Sequence, residues 1–174
     1  HVAKQLGEKV NYILDGGICE VGIESTIVGL EEGELCVYRL GGLSVEEIEK
    51  AVGHVELRIN HSSNPKAPGQ LKSHYAPRKL LKIGDLETMI KEQREKKIAL
   101  IYFGKNNYHA SNIQHFPLSE KGDLREAALN LFRVLREADE SNNDIILCEK
   151  LPDIDLGRAV NDRLQRAQSV DEAE

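Results

Sequence analysis

The chain has 174 residues, 40% apolar and 30% charged, with a formal net charge of −6. That balance describes a folded chain of one ordinary domain, or one small domain and part of another, and excludes a disordered polyampholyte. The longest apolar run, Ile98 to Phe103, falls far short of the roughly 20 residues a spanning helix needs, so no membrane partner is expected.

The opening His1-Val2-Ala3-Lys4-Gln5-Leu6-Gly7 reads as the end of a helix whose start lies upstream, as in a piece of a longer protein or a processed chain. It contains no signal-peptide core. Asn11 to Asp15 predicts a short strand closed by Gly16-Gly17. Ser25 to Leu30 and Leu35 to Leu40 predict a strand pair, turned by Glu31-Glu32-Gly33-Glu34. Gly41-Gly42 breaks the second strand. Ser44 and Glu47 then form the capping box S-x-x-E, with Val45, Ile48 and Val52 on one helical face and Gly53 as the stop. His54 to Ile59 predicts one more strand.

Residues 60–79 have no period and are punctuated by Pro65, Pro68, Gly69 and Pro77. Lys66, Lys72, Arg78, Lys79 and Lys82 fall in 61–82 without one acidic side chain, between two acidic blocks. This reads either as a solvated basic linker or, more sharply, as a strip that meets something anionic. From Leu80 strands and helices alternate. Leu80 to Ile83 is a strand, and Asp85 caps a helix carrying Leu86, Met89 and Ile90. Lys97 to Phe103 reads as a strand buried on both faces. Ile113 to Pro117 follows. Asp123 then opens a long helix with Leu124, Ala128, Leu131, Leu135 and Ala138 on one face. Asp144 to Cys148 is a strand and Leu156 to Gln168 a final amphipathic helix. The alternation predicts a Rossmann-like three-layer α/β domain with a mainly parallel sheet.

Candidate chemistry is scattered. Gly16-Gly17 and Gly41-Gly42 could cradle phosphate through backbone N–H groups, but match no P-loop and read more simply as turns. Ser25 and Thr26 place hydroxyls at a strand mouth, where they can bond a carboxylate or phosphate, but Thr is also simply a good strand former, and on the residues alone that plainer reading wins. Arg39 stands beside a glycine pair, which suits bidentate phosphate recognition and equally an ordinary exposed arginine. His74-Tyr75 lies within the basic linker, where an imidazole can carry a proton and a phenol ring can stack on a base. Cys19, Cys36 and Cys148 fit no zinc or disulfide spacing and read as buried thiols in a reducing cytosol. His54, His61, His109 and His115 suggest no metal site, and none is expected. Arg158, Arg163 and Arg166, interrupted by Asp162, read as a solvated helix face.

The order of these segments says more than any one of them. Leu14-Asp15-Gly16-Gly17, Val21-Gly22-Ile23-Glu24-Ser25-Thr26-Ile27-Val28, Tyr38-Arg39-Leu40-Gly41-Gly42 and Ala67-Pro68-Gly69 with Ser73-His74-Tyr75-Ala76-Pro77 together resemble the Sua/YciO/YrdC family. Leu156 to Leu164 resembles its two-domain Sua-type members. The resemblance implies that residues 1–59 are the C-terminal part of a YrdC-like catalytic domain, 60–79 a basic linker or lid, and 80–174 a Sua-type α/β domain. It implies a cytoplasmic nucleotidyltransferase that makes threonylcarbamoyl-AMP from L-threonine, bicarbonate and ATP, with Mg2+ accompanying ATP. A downstream complex would pass the group to tRNA, which the protein could also contact. Ser25 and Thr26 would bind L-threonine. Arg39, His74 and Tyr75 would bind ATP, with Pro68, Gly69, Lys72 and Ser73 in the lid. No catalytic residue is assigned. The family's Lys-x-Arg and Ser-x-Asn motifs lie upstream of His1, so this chain alone is expected to be inactive. The linker also departs from the family's Pro-Gly-Met pattern, reading Gln70-Leu71-Lys72-Ser73. The alternative is a non-catalytic RNA- or protein-binding module. It rests on a second domain without an active-site signature, and the acidic charge and 5% aromatic content weigh against RNA.

Overall fold

Two sheets organise the computed structural model, which describes residues 2–17, 19–59 and 76–168. Pro68, Gly69, Lys72, Ser73, His74 and Tyr75, with His61, lie outside the described residues. Helix α1 (Val2–Leu6) runs into a 3-10 turn at Gly7–Lys9. The strand expected over 11–15 does not form: Tyr12 is 89% and Leu14 97% exposed, and neither belongs to a sheet. A period-two pattern makes a strand only where a neighbouring strand takes its backbone hydrogen bonds.

Strands β1 (Ile27–Glu31) and β2 (Glu34–Arg39) pair antiparallel. Their turn residues Glu32 and Gly33 both have positive φ, 55° and 87°, as a tight two-residue hairpin requires. Helix α2 (Val45–Val52) starts with the expected capping box: Ser44 Oγ accepts from the Glu47 N–H, and the Glu47 carboxylate accepts from the Ser44 N–H at 3.0 Å. The Ser44 backbone donor holds the Glu47 carboxyl below its ordinary range. Val45 and Ile48 are buried but Val52, at the last turn, is exposed. Strand β3 (Glu56–Leu57) is shorter than expected and runs parallel to β2.

His54, just before β3, stands 3.1 Å from Glu49 Oε1 through Nδ1 and 3.3 Å from Glu56 Oε1 through Nε2. The Glu56 bond first, and then the Glu49 bond, raise its pKa above 6.5. A raised histidine pKa means the bridge is fully formed below the ordinary value and is lost as pH rises through the raised one. An NMR titration should therefore place the His54 midpoint above 6.5 and show β3 amides exchanging faster on the alkaline side. A midpoint at or below that value would refute the bridge.

The second sheet contains β4 (Leu81–Ile83), β5 (Ile98–Phe103), β6 (Ile113–Ser119) and β7 (Ile145–Cys148), in the order β4-β7-β5-β6 and all parallel. Helix α3 (Leu86–Glu92) covers one face; α4 (Leu124–Glu140) and α5 (Asp155–Ala167) cover the other. Alternation along β5 divides its side chains between the layers. Ile98, Leu100 and Tyr102 pack with Leu86 and Met89, whereas Ala99 and Ile101 pack with Leu131, Leu135 and Leu164. Asp85 and Asp123 cap α3 and α4 as their positions predict. Cys36 and Cys148 are buried, and burial pushes the Cys148 thiol up; Cys19, expected to be buried, is exposed. Among the described residues no helix is long and apolar enough to cross a membrane.

The two sheets meet through α4, α5 and the segment 21–25. Gly22 has φ +77°, and a Cβ there would stand 2.4 Å from Leu129 Cα on α4. Ala159 of α5 packs with Val37, Leu40, Val45, Ile48 and Val55, and Ile23 touches the cores of both sheets. Lys79, read from sequence as part of the basic linker, instead ties the chain to the C-terminus of α4. Its ammonium donates to the carbonyls of Ala138, Asp139 and Ser141, where a helix end favours positive charge.

Candidate functional site

The mouth of the β1–β2 hairpin gathers Ser25, Thr26 and Arg39, with Arg39 fourteen positions after Ser25 in the chain. Strand pairing places Ile27 opposite Arg39 and so brings Ser25 beside the guanidinium. Arg39 Nε donates to the Ser25 carbonyl at 3.0 Å and Nη2 donates to Ser25 Oγ at 3.1 Å. Ser25 is exposed and Arg39 half-buried. A guanidinium fixed through two bonds, next to an exposed hydroxyl, has the chemistry to meet a carboxylate or phosphate.

Thr26 acts differently. Its hydroxyl donates to the Leu43 carbonyl at 2.5 Å and accepts from the Leu43 N–H at 3.1 Å. Its single proton therefore fastens the strand mouth to the turn after β2. Gly41-Gly42 makes that contact sterically feasible. A Cβ on Gly41 would stand 2.3 Å from the Ser25 carbonyl carbon and 2.4 Å from the Thr26 nitrogen. The Gly42 N–H donates to the Glu24 carbonyl at 2.9 Å. The glycine pair thus lays one backbone against another. Gly16-Gly17 is a simpler turn: the Gly17 N–H donates to Asp15 Oδ1 at 2.9 Å, and a Cβ on either glycine would meet nothing within 4 Å.

The largest departure from the sequence reading is on α5. Arg163 and Arg166, expected on a solvated face, are buried. Arg163 donates through Nε and Nη2 to Glu24 Oε2 at 3.1 and 3.0 Å, and through Nη1 to Asp162 Oδ2 at 2.9 Å. Arg166 grips Asp162 through Nε and Nη2, at 2.9 Å to the nearer oxygen. Among the described residues, Arg163 thus links Glu24 to an Asp162–Arg166 pair on α5. A signal was present in the spacing: Arg163 lies on the same stripe as Leu156, Val160 and Ala167, at i, i+4, i+7 and i+11, which faces the core. Arg158 does stay near solvent, 3.2 Å from Glu46 on α2.

A separate cleft of about 570 Å³ lies between α2 and α5, with Leu40, Glu49, Val55, Arg158 and Gln165 in its walls. Ser25 and Arg39 do not line it. Among the described residues no group of three or more His, Cys, Asp and Glu side chains could hold a metal ion.

Together these features define an α/β protein in which the last helix joins a helix-covered parallel sheet to a β-hairpin whose mouth holds Ser25 against Arg39. The chain belongs to the family described as the C-terminal domain of threonylcarbamoyl-AMP synthase, whose profile matches residues 43–169. It is 36% identical over 186 aligned positions to the Pyrococcus abyssi threonylcarbamoyl-AMP synthase, covering 96% of this chain and 52% of that protein. The Bacillus subtilis enzyme of the same name is 28% identical, with 96% of this chain and 51% of that protein covered. The Schizosaccharomyces pombe enzyme is 32% identical, with 98% and 48% covered. The chain thus spans about half the length of these relatives. Among solved structures, the P. abyssi protein complexed with L-threonine superimposes with a TM-score of 0.77 at 31% identity, over 96% of this chain and 52% of that one.

Proposed function

We propose that this chain supplies the second half of a threonylcarbamoyl-AMP synthase working in tRNA modification. The fixed Arg39–Ser25 pair carries the reading, because it sits in a chain that superimposes over 96% of its length on about half of a relative solved with L-threonine. In the proposed reaction the threonine amine adds to the bicarbonate carbon and a C–O bond breaks with loss of water, giving a carbamate. A carbamate oxygen attacks the α-phosphorus of ATP, and the bond to the β-phosphate breaks to release pyrophosphate. Such a step depends on positioning and charge neutralisation and needs no covalent intermediate. Ser25 would meet threonine, and the Arg39 charge would stabilise phosphate oxygens. Thr26 would shape the pocket by holding the turn through Leu43. His74, Tyr75 and the basic residues around them would close over the nucleotide. Magnesium would enter with the ATP polyphosphate, as part of the substrate.

The full-length protein should convert threonine, bicarbonate and ATP into threonylcarbamoyl-AMP and pyrophosphate, measured by mass spectrometry and phosphate release. The isolated 174-residue chain should not. Its hairpin exposes Val28 and Leu30, and Tyr12 and Leu14 stand in solvent, so apolar surface is left that the rest of a longer relative could cover. Full-length protein without turnover would refute the function, and turnover by the isolated chain would refute the division of the pocket.

A further inference from the structure

We propose that Arg163 is a positioning residue for the Ser25–Arg39 pair, acting across the joint between the two sheets. The inference rests on the function proposed above and extends it to α5. Arg163 is 1% exposed, and both Nε and Nη2 converge on one oxygen of Glu24. Glu24 immediately precedes Ser25. Its carbonyl accepts from Gly42, and the next carbonyl and hydroxyl, both of Ser25, accept from Arg39. The carboxylate of Glu24 is therefore the anchor of a short peptide whose other contacts shape the hairpin mouth. Arg163 is itself held: Nη1 bonds Asp162, and Asp162 is gripped by Arg166. All three lie on α5, whose Val160 and Leu164 are embedded in the core of the parallel sheet.

The geometry makes the parallel-sheet domain a rigid base for the substrate loop. A guanidinium fork suits this task because its donors have fixed directions, and two can aim at Glu24 while a third takes Asp162. A lysine offers a single rotatable head and cannot hold both carboxylates in that arrangement. Releasing Glu24 would leave the loop attached through backbone contacts but free to move by a fraction of an ångström. Binding sites lose much of their grip under displacements of that size.

The test is threonine binding by calorimetry on full-length protein, in wild type and in Arg163→Lys, Glu24→Gln and Arg158→Ala. Arg163→Lys and Glu24→Gln should each weaken threonine binding about tenfold while the binding stoichiometry stays unchanged. Partial unfolding would lower the stoichiometry instead, so the two measured quantities separate positioning from stability. Arg158→Ala cuts the α5–α2 ion pair with Glu46, away from Glu24, and should leave the affinity as it was. Wild-type binding reproduced by Arg163→Lys and Glu24→Gln would overturn the inference alone, as would a loss confined to stoichiometry. Wild-type protein that binds no threonine would overturn the proposed function and this inference with it.

Discussion

Asp162→Ala should destabilise the full-length protein by about 3–5 kcal/mol, the range for removing one member of a buried ion cluster. Asp162 accepts from Arg163 at one oxygen and from Arg166 at both. Alanine removes that negative charge from between two buried guanidiniums, of which Arg163 keeps its bonds to Glu24. The effect lies in what stays behind. A buried ion pair contributes little net stability against a well-packed apolar replacement, whereas a stranded charge keeps its full desolvation cost. The contrast is the exposed pair Lys91–Glu87 on α3, where both side chains are more than half exposed. Cutting that pair should leave stability essentially unchanged. Urea unfolding separates the two cases: the Asp162→Ala midpoint should fall with an unchanged denaturant slope. A loss below about 1 kcal/mol would mean that water or nearby groups take over the role of Asp162.

The same cluster shows what the sequence makes legible. Elements with their own local grammar are readable: the Ser44–Glu47 box, the Asp85 and Asp123 caps, the Glu32-Gly33 turn and the apolar strand Ile98–Phe103. Each is set by neighbours a few residues away. Arg163 and Glu24 are 139 residues apart, and no local pattern states that they meet. Charge alone suggested a solvated face; the apolar stripe containing Arg163 pointed the other way, and burial followed the stripe. Asn11 to Asp15 failed for the converse reason, since a strand pattern needs a partner strand. Within the hairpin mouth, Arg39 and Ser25 were separate weak signals that only the β1–β2 register joins. Thr26 and Gly41-Gly42 were recognisable as residues, but their work for the backbone, through Leu43 and Glu24, depends on a contact between segments.

That backbone contact gives the second large effect. Gly41→Ala should lower stability by about 3 kcal/mol, the upper part of the usual overpacking range, and weaken threonine binding more than tenfold in the full-length protein. The added methyl would stand 2.3 Å from the Ser25 carbonyl carbon, 2.4 Å from the Glu24 oxygen and 2.4 Å from the Thr26 nitrogen. All three are main-chain atoms, so no side-chain rotation can relieve the overlap. The segments must part. Parting stretches the Gly42-to-Glu24 and Thr26-to-Leu43 hydrogen bonds together, and it carries Ser25 away from the Arg39 fork. The stability loss and the binding loss thus share one cause. Gly16→Ala is the control, because a Cβ there meets nothing within 4 Å, and it should stay within about 0.5 kcal/mol of wild type. If Gly41→Ala bound threonine normally despite lost stability, the hairpin mouth would not be where threonine sits. Conserved stability together with lost binding would instead show that the turn yields without strain, and that the position of Ser25 alone decides affinity.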